Sequence, residues 1–338
     1  MPSPLKIAYD IASLPMATKI SDAWLKLKFA SLTSKRAASQ MVFAKGEPAP
    51  KVTVVVPVYN VERYLALCLQ SLRAQNYPNL DVILVNDGST DGSLAIARKF
   101  QEKLNLHIVD QENAGLGAAR NAGVQAIDQT DYLMFLDSDD ALAPNALQNL
   151  VSRIIDVDCD FVIGDTTRMK GLTRLKRRDT RAVFSGQNLA ETTLLEHPQA
   201  ILDVTAWNRL FKFSFYKSNA FKFPQGVYFE DMALMTKAYL RASSFSVLTK
   251  TVYLWRVRTE GSKSITQQTS DEVKINDRLK ALREMQGLLK AGVVLGKTNQ
   301  KNLDAFKMRV KNHDLKLYLK TASKTQLMRF DEFLNPGK

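Results

Sequence analysis

KVTVVVPVYNVERYLALCLQSL (residues 51–72), DVILVNDGSTDGS (81–93) and DYLMFLDSDD (131–140) decide the fold. Each opens on a short apolar run, the mark of a strand buried on both faces. Each run stops at a polar cluster: VYN, NDGSTD or LDSDD. After the first, Tyr64, Leu65, Cys68, Leu69 and Leu72 recur at helical spacing. SLAIARKFQEKL follows the second as another helix, with Ser89 or Asp91 as its cap. LHIVD (106–110), GAARNAGVQAI (117–127), ALQNLVSRII (146–155) and DFVIGD (160–165) continue the alternation of strand and helix. Such alternation predicts an α/β fold with a mainly parallel, Rossmann-like sheet flanked by helices. Ligands of such sheets bind beyond the carboxyl ends of the strands. The three polar clusters are therefore expected to meet in one crevice.

Outward from this frame, composition narrows the class. The chain has 338 residues, of which 45% are apolar. A chain of this size buries about three quarters of its unfolded surface, which excludes a disordered, collagen-like or disulfide-stapled protein. The net charge of +13, from 47 Lys and Arg against 34 Asp and Glu, points to an anionic partner. Cys68 and Cys159 lie in apolar contexts without paired spacing and read as buried thiols of a reducing compartment. No apolar run approaches the 18 residues or so of a membrane span, and the N-terminus lacks a signal-peptide core. A cytoplasmic chain is expected, with peripheral membrane attachment as an option of its basic arm.

Residues 1–50 form that arm and a Gly/Pro linker. Ile20, Trp24 and Leu27 lie on one helical stripe there, and Leu25, Phe29 and Leu32 on a second. Residues 51–268 form the main domain, with halves at 51–165 and 166–268. Residues 269–338 form a basic helical region. Within the second half, TTRMKGLTRLKRRDTRA (166–182) holds seven Lys and Arg against one Asp, without apolar period. It reads as an exposed basic loop or hairpin.

LDSDD places three carboxylates within four residues at a strand end. Such a cluster tolerates ionisation beside a divalent cation, and hard oxygen ligands suit Mg²⁺ or Mn²⁺. The plain alternative is a helix cap, which Asp140 can supply. NDGSTDGS reads as a turn and cap, or as a place where Asp87 faces the crevice. ENAGLGAARN (112–121) gives close backbone approach at Asn113 and Gly115, a helix N-terminus that favours an anion, and Arg120. Glu230-Asp231 before a helix is a cap pair or contains a general base. WRVRTEGSKS offers Arg256, Arg258, Lys263 and Ser264 to a diphosphate.

Taken together, VTVVVPVYNVERYLALCLQSL, VILVNDGSTDGS, NAGLGAARNAG and YLMFLDSDD resemble the family 2 glycosyltransferases of GT-A fold over about residues 51–165. TAWNRLFKFSFYKSNAFKFPQGVYFEDMAL and WRVRTEGSKSIT resemble the acceptor half of the bacterial branch that builds cell-envelope polymers, wall teichoic acid glycosyltransferases among them. The resemblance implies that Pro57, Tyr59 and Glu62 line the nucleotide, and that Asp87 and Arg120 bind beside its base. It implies that Asp137 and Asp139 are the D-x-D pair serving Mn²⁺ or Mg²⁺. Asp231 matches the catalytic base, Trp207 and Asn208 the W-N motif near the sugar, and Arg256, Arg258 and Ser264 the segment closing over the diphosphate. The implied reaction is inverting transfer from a nucleotide-diphosphate sugar, UDP being the expected nucleotide. The implied acceptor is a hydroxyl of an envelope glycan, an anionic polymer or a lipid-linked saccharide, and a homo-oligomer is compatible with it. The Q-x-x-R-W motif of membrane-embedded processive synthases is missing. His107, His197 and His313 read as structural or surface residues.

Two other classes stand beside this one. A sugar-phosphate nucleotidyltransferase also uses a nucleotide-binding sheet and a metal, but VPVYNVERYL has no glycine-rich phosphate loop. A basic nucleic-acid- or anion-binding protein explains the charge and leaves the acidic clusters at strand ends unexplained.

Overall fold

The computed structural model describes residues 48–335 apart from 171, 172, 178, 259–263, 265, 266 and 269. The amphipathic stripes expected within residues 1–50, Arg178 and Lys263 lie outside the described residues.

The first half alternates as its apolar runs dictate: β1 (Val52–Val58), α1 (Glu62–Arg73), β2 (Leu80–Asp87), α2 (Ser93–Gln101), β3 (Leu106–Gln111), α3 (Leu116–Gln125), β4 (Tyr132–Phe135), β5 (Ala141–Leu142) and α4 (Ala146–Val157). The second half comprises β6 (Phe161–Lys170), β7 (Thr173–Lys176), α5 (Arg181–Phe184), β8 (Leu189–Thr192), β9 (Arg209–Lys212), α6 (Phe213–Ser218), α7 (Asp231–Arg241) and β10 (Phe245–Arg256). Helices α8 (Glu272–Val294), α9 (Gln300–Arg309), α10 (Leu315–Tyr318), α11 (Lys324–Met328) and α12 (Asp331–Leu334) follow, with a π-helical turn at Val310–Asp314 between α9 and α10.

The strands form one sheet whose main order is β3-β2-β1-β4-β9-β6-β10-β5. β1 pairs in parallel with both β2 and β4, β2 with β3, and β6 with β10. Short β9 lies antiparallel between β4 and β6, so β6 does not pair with β4 as uninterrupted alternation would have it. Because β9 opposes both neighbours, β4 and β6 still point the same way, and the long strands end on one edge.

Every residue of β1, VTVVVPV, is buried, as a run without a charged residue allows. Its side chains alternate between faces. Val54 and Val56 pack with α1 and α4 through Leu65, Leu69, Leu147 and Leu150. Val55 joins the opposite layer with Ile83, Phe135 and Ala119 of α3. Gly123 lets α3 lie flat there, since a methyl group at that position would collide with Val55 and Val85. That second layer runs on through Phe161, Phe211, Tyr239 and Phe245 to Leu279, Leu282, Met285, Phe306, Phe330 and Phe333. The C-terminal helices thus share the core of residues 166–268. Full burial of one such Leu or Phe contributes about 1.5–3 kcal/mol, so this shared layer ties them firmly to the sheet.

Cys68 and Cys159 are buried free thiols. No helix among the described residues is long and apolar enough to cross a membrane. The 166–182 segment does form a hairpin, β6 with β7. It is not a uniformly solvated one: Met169 and Arg177 are buried.

Candidate active site

A cavity of about 640 Å³ opens beyond the carboxyl ends of β1, β2 and β4. Of the residues expected there, Pro57, Tyr59, Asp87, Asn113, Gly115, Arg120, Asp137, Asp139, Trp207, Asp231, Arg258 and Ser264 line it. Glu62, Asn208 and Arg256 stand behind the wall, each with a defined local task.

Glu62 opens α1, and its carboxylate accepts the Gly92 N–H at 2.7 Å, while its own N–H donates to Asp91 at 3.0 Å. Asn60, at φ 50°, accepts from the Thr90 N–H at 2.8 Å. These bonds staple VYNVE to the NDGSTDG loop. Asp91 and Ser89 are used in this staple, and the α2 N-cap is Gly92. Tyr59 is left half-exposed on the cavity rim, a flat ring with one face to solvent.

Asp87 ends β2 and is buried. Its carboxylate accepts the Ala114 and Gly115 N–H groups at 2.9 and 3.0 Å and the Gln111 amide at 2.6 Å. It therefore anchors the Asn113–Gly115 turn that leads into α3. Gly115, at φ 88°, supplies the left-handed conformation this turn needs.

Arg120 projects from α3 into the centre and is almost fully buried. It donates to Asp137 at 2.8 Å and, on its other side, to Glu230. One guanidinium thus joins the acid at the end of β4 to the acid heading α7. Burial raises both carboxyls against the pull of Arg120, and Glu230 is pushed up to about 7. A single cation does not neutralise two buried acids with Asp231 also nearby.

Asp139 accepts from the Arg258 guanidinium at 2.7 Å. Asp140 does not cap α4, whose N-cap is Asn145. It accepts from the Arg256 N–H at 2.6 Å and the Tyr253 hydroxyl at 2.8 Å, so it binds the D-S-D-D turn to β10. The Arg256 side chain donates to the Asp139 carbonyl at 2.8 Å and stacks on Tyr64. Among the described residues no three His, Cys, Asp or Glu side chains gather as a ready ligand set. Asp137 and Asp139 each keep one carboxylate oxygen without a protein donor among those residues. Two such oxygens suit a hard divalent ion that completes its shell with phosphate and water.

Trp207 stacks on Tyr253 with ring centroids 4.2 Å apart, and the Tyr253 hydroxyl in turn accepts the Asp137 N–H. Asn208 is wholly buried and donates to Asp203 and to the Gly164 carbonyl, locking the loop that carries Trp207. Asp231 opens α7 after the N-cap Glu230, and Phe229 just before that cap sits at φ 61°. A bulky residue in that region is strained and persists only where its surroundings hold it. Helix α8 holds it: Asp277 accepts the Tyr228 N–H at 2.9 Å, and Arg278 stacks 4.4 Å over the Phe229 ring.

The C-terminal region, outside every motif of the sequence, forms one wall of the cavity. Lys274 and Arg278 of α8 line it, with Arg309, His313 and Leu317 from the segment around the π-helical turn. Arg177 of the hairpin joins them, stacked on Trp207 and Trp255 at 5.7 and 5.5 Å. His313 therefore faces the cavity, against the structural reading of it, whereas His107 is exposed and His197 lies against the Val183 carbonyl. The available signal was faint: Arg309 and His313 are four residues apart on one helix face.

The sequence profile of the glycosyl transferase family 2 matches residues 53–222, just over half of the chain. Glycosyltransferase GlyA of Streptococcus pneumoniae is 34% identical over 63% of this chain and 31% of its own length. Poly(ribitol-phosphate) beta-N-acetylglucosaminyltransferase TarS of Staphylococcus aureus is 30% identical over 66% of this chain and 38% of its own length. The chain thus spans about a third of either relative. The crystal structure of TarS 1–349 in complex with UDP-GlcNAc superposes with a TM-score of 0.62 at 23% identity, covering 84% of this chain and 88% of that one. The mannosyltransferase PcManGT of Pyrobaculum calidifontis, in complex with GDP-Man and Mn²⁺, gives 0.54 at 19% identity, covering 98% and 99%. These likenesses establish the GT-A arrangement of the sheet.

Proposed function

We propose, on the premise that this chain belongs to glycosyl transferase family 2, that it is an inverting glycosyltransferase acting from a UDP-sugar on a hydroxyl of a cell-envelope polymer. The observation that carries this reading is the convergence of Asp137, Asp139, Arg258 and Asp231 on one cavity at the strand ends. Kinship with TarS, whose structure holds UDP-GlcNAc, supports an N-acetylhexosamine as the sugar, and its name supports a phosphate-containing polymer as the acceptor.

In this reading the nucleotide lies along Tyr59 and the Asp87-anchored turn. Asp231 accepts the proton of the acceptor hydroxyl while that oxygen bonds to the anomeric carbon from the face opposite the leaving group. The bond to the diphosphate oxygen breaks with its electron pair, and configuration inverts. Arg258 and the Ser264 hydroxyl meet the charge that develops on the diphosphate. Asp137 and Asp139 would hold Mn²⁺ or Mg²⁺, which supplies further charge neutralisation there. Arg120 and Glu230 keep Asp137 and the start of α7 in fixed relation. Trp207 offers an apolar face beside the sugar.

Calorimetric titration of UDP, GDP, CDP and dTDP, with and without Mn²⁺, tests the donor site on the native chain and on Asp139→Ala. Metal-dependent binding of UDP, lost in the variant, is the expected result. Equal binding of all four by native chain and variant overturns the assignment.

A further inference from the structure

Arg177, Arg278, Arg309 and His313 come from a hairpin end, a long helix and a π-helical turn, yet meet on one wall of the cavity. The wall adjoins Trp207 through Arg177 and the turn before Asp231 through Arg278. Two carboxylates stand behind it. Asp179 pairs with Arg177 at 2.6 Å and with His313 at 3.2 Å. Asp314 pairs with Arg278 at 2.5 Å and Arg309 at 3.3 Å. Asp203 and Asp165 also act on Arg177, and Lys274 on the same wall pairs with Asp271 at 3.2 Å.

The hydrogen-bonding capacity of these cations is not exhausted. Arg177 Nη1 is buried without a hydrogen-bond acceptor in a side chain only 4% exposed, whereas Arg309 Nε stands 3.3 Å from Asp314 Oδ2. A buried donor left without a partner costs on the order of 1–3 kcal/mol. One such donor, on Arg177 of the cavity wall, leaves a hydrogen bond for a further acceptor. His313 is turned by Asp179 through Nδ1, and its Nε2 has no partner among the described residues. Burial lowers the basicity of Arg309 and His313 against the pull of Asp314 and Asp179, whereas Asp179 and Asp203 raise that of Arg177 against its burial.

We propose that Arg177, Arg278, Arg309 and His313 form an acceptor-side oxyanion subsite, which takes a phosphate of the acceptor and so presents a neighbouring hydroxyl to Asp231. The inference rests on the glycosyltransferase reading above. Guanidinium groups recognise phosphate and carboxylate alike. Three of them arriving from three elements match a tetrahedral group better than a planar one with two oxygens. The phosphate belongs to a chain-like polyol phosphate, the acceptor class of the reading above, entering the cavity that these residues line.

The test uses the full chain saturated with UDP, with UDP binding measured first by calorimetry. Ribitol 5-phosphate and ribitol are then titrated and followed by ligand-observed NMR. Ribitol 5-phosphate is expected to bind and ribitol not. Loss of one charge-assisted contact in His313→Gln or Arg177→Lys is expected to weaken binding about tenfold, with UDP affinity unchanged. Equal binding of both polyols, displacement of ribitol 5-phosphate by UDP, or undiminished binding by both variants overturns the subsite. So does variant-sensitive binding to phosphatidylglycerol vesicles without binding of ribitol 5-phosphate. If UDP itself fails to bind, the donor reading fails, and that result is separate from the polyol arms.

Discussion

Replacing Glu230 by glutamine removes a buried charge and keeps its shape. Its carboxyl, 4.5 when unperturbed, stands at about 7 in the fold, because burial outweighs the pull of Arg120 and Asp231 adds to the rise. A group whose pKa is raised on folding gives its full stabilisation below the unfolded value and loses it as pH climbs through the folded one. At 1.36 kcal/mol per pH unit, the native chain loses about 3 kcal/mol through Glu230 between pH 4.5 and somewhat above 7. Glu230→Gln has no such titration. Urea unfolding followed by tryptophan fluorescence at half-unit steps from pH 5 to 8.5 is expected to show the variant gaining on the native chain by up to that amount. The rise should be half complete at about pH 5.8, midway between the unfolded and folded values, and level off above 7. At pH 5 the gain should still be below about 1 kcal/mol, since the unfolded side chain has only been ionising from 4.5 upward. A stability difference that stays constant within about 0.5 kcal/mol across the range would refute the account of one guanidinium shared by two buried acids.

Asp231→Asn is expected to lower kcat by about 10² or more while leaving UDP affinity intact, since a general base contributes roughly that much to the chemical step. Steady-state and single-turnover rates check it, and a near-native kcat removes the base role. Gly117→Ala places a methyl group against the Pro224 carbonyl, where there is no room for it. The expected cost is about 1–3 kcal/mol in thermal unfolding, with α3 displaced at the mouth of the cavity. His197 is half-buried, and burial holds its imidazole below the ordinary value of about 6.5. The unfolded chain therefore binds the extra proton first, so stability falls as pH drops through 6.5 and levels off below the folded value. His197→Gln should flatten that part of a melting-temperature profile, and an unchanged slope removes the effect.

The strand ends were legible because burial on both faces leaves a continuous apolar run, and polar residues can resume only where the strand leaves the core. VTVVVPV, DVILVND and DYLMFLD are such runs, and they put Asp87, Asp137 and Asp139 at strand ends, which the pairing of β1 with β2 and β4 gathers in one crevice. Asp140 and Asn208 show the limit of that reading. Asp140 bonds Tyr253 and Arg256 from the cavity wall, and Asn208, itself expected near the sugar, is buried against Asp203 behind that wall. Spacing along a chain does not say which of two adjacent polar groups turns inward.

What the sequence by itself determined is the first half, residues 51–165: its strand and helix periodicities, which are local, and the acids where its apolar runs stop. What only the tertiary structure decided is the other half of the cavity. Insertion of β9 between β4 and β6 depends on pairing between strands some 50–80 residues apart. The wall of Arg177, Arg278, Arg309 and His313 depends on a shared apolar layer that folds the last helices back over the site. That layer is held by non-directional burial, which leaves no motif in the residues that it brings together.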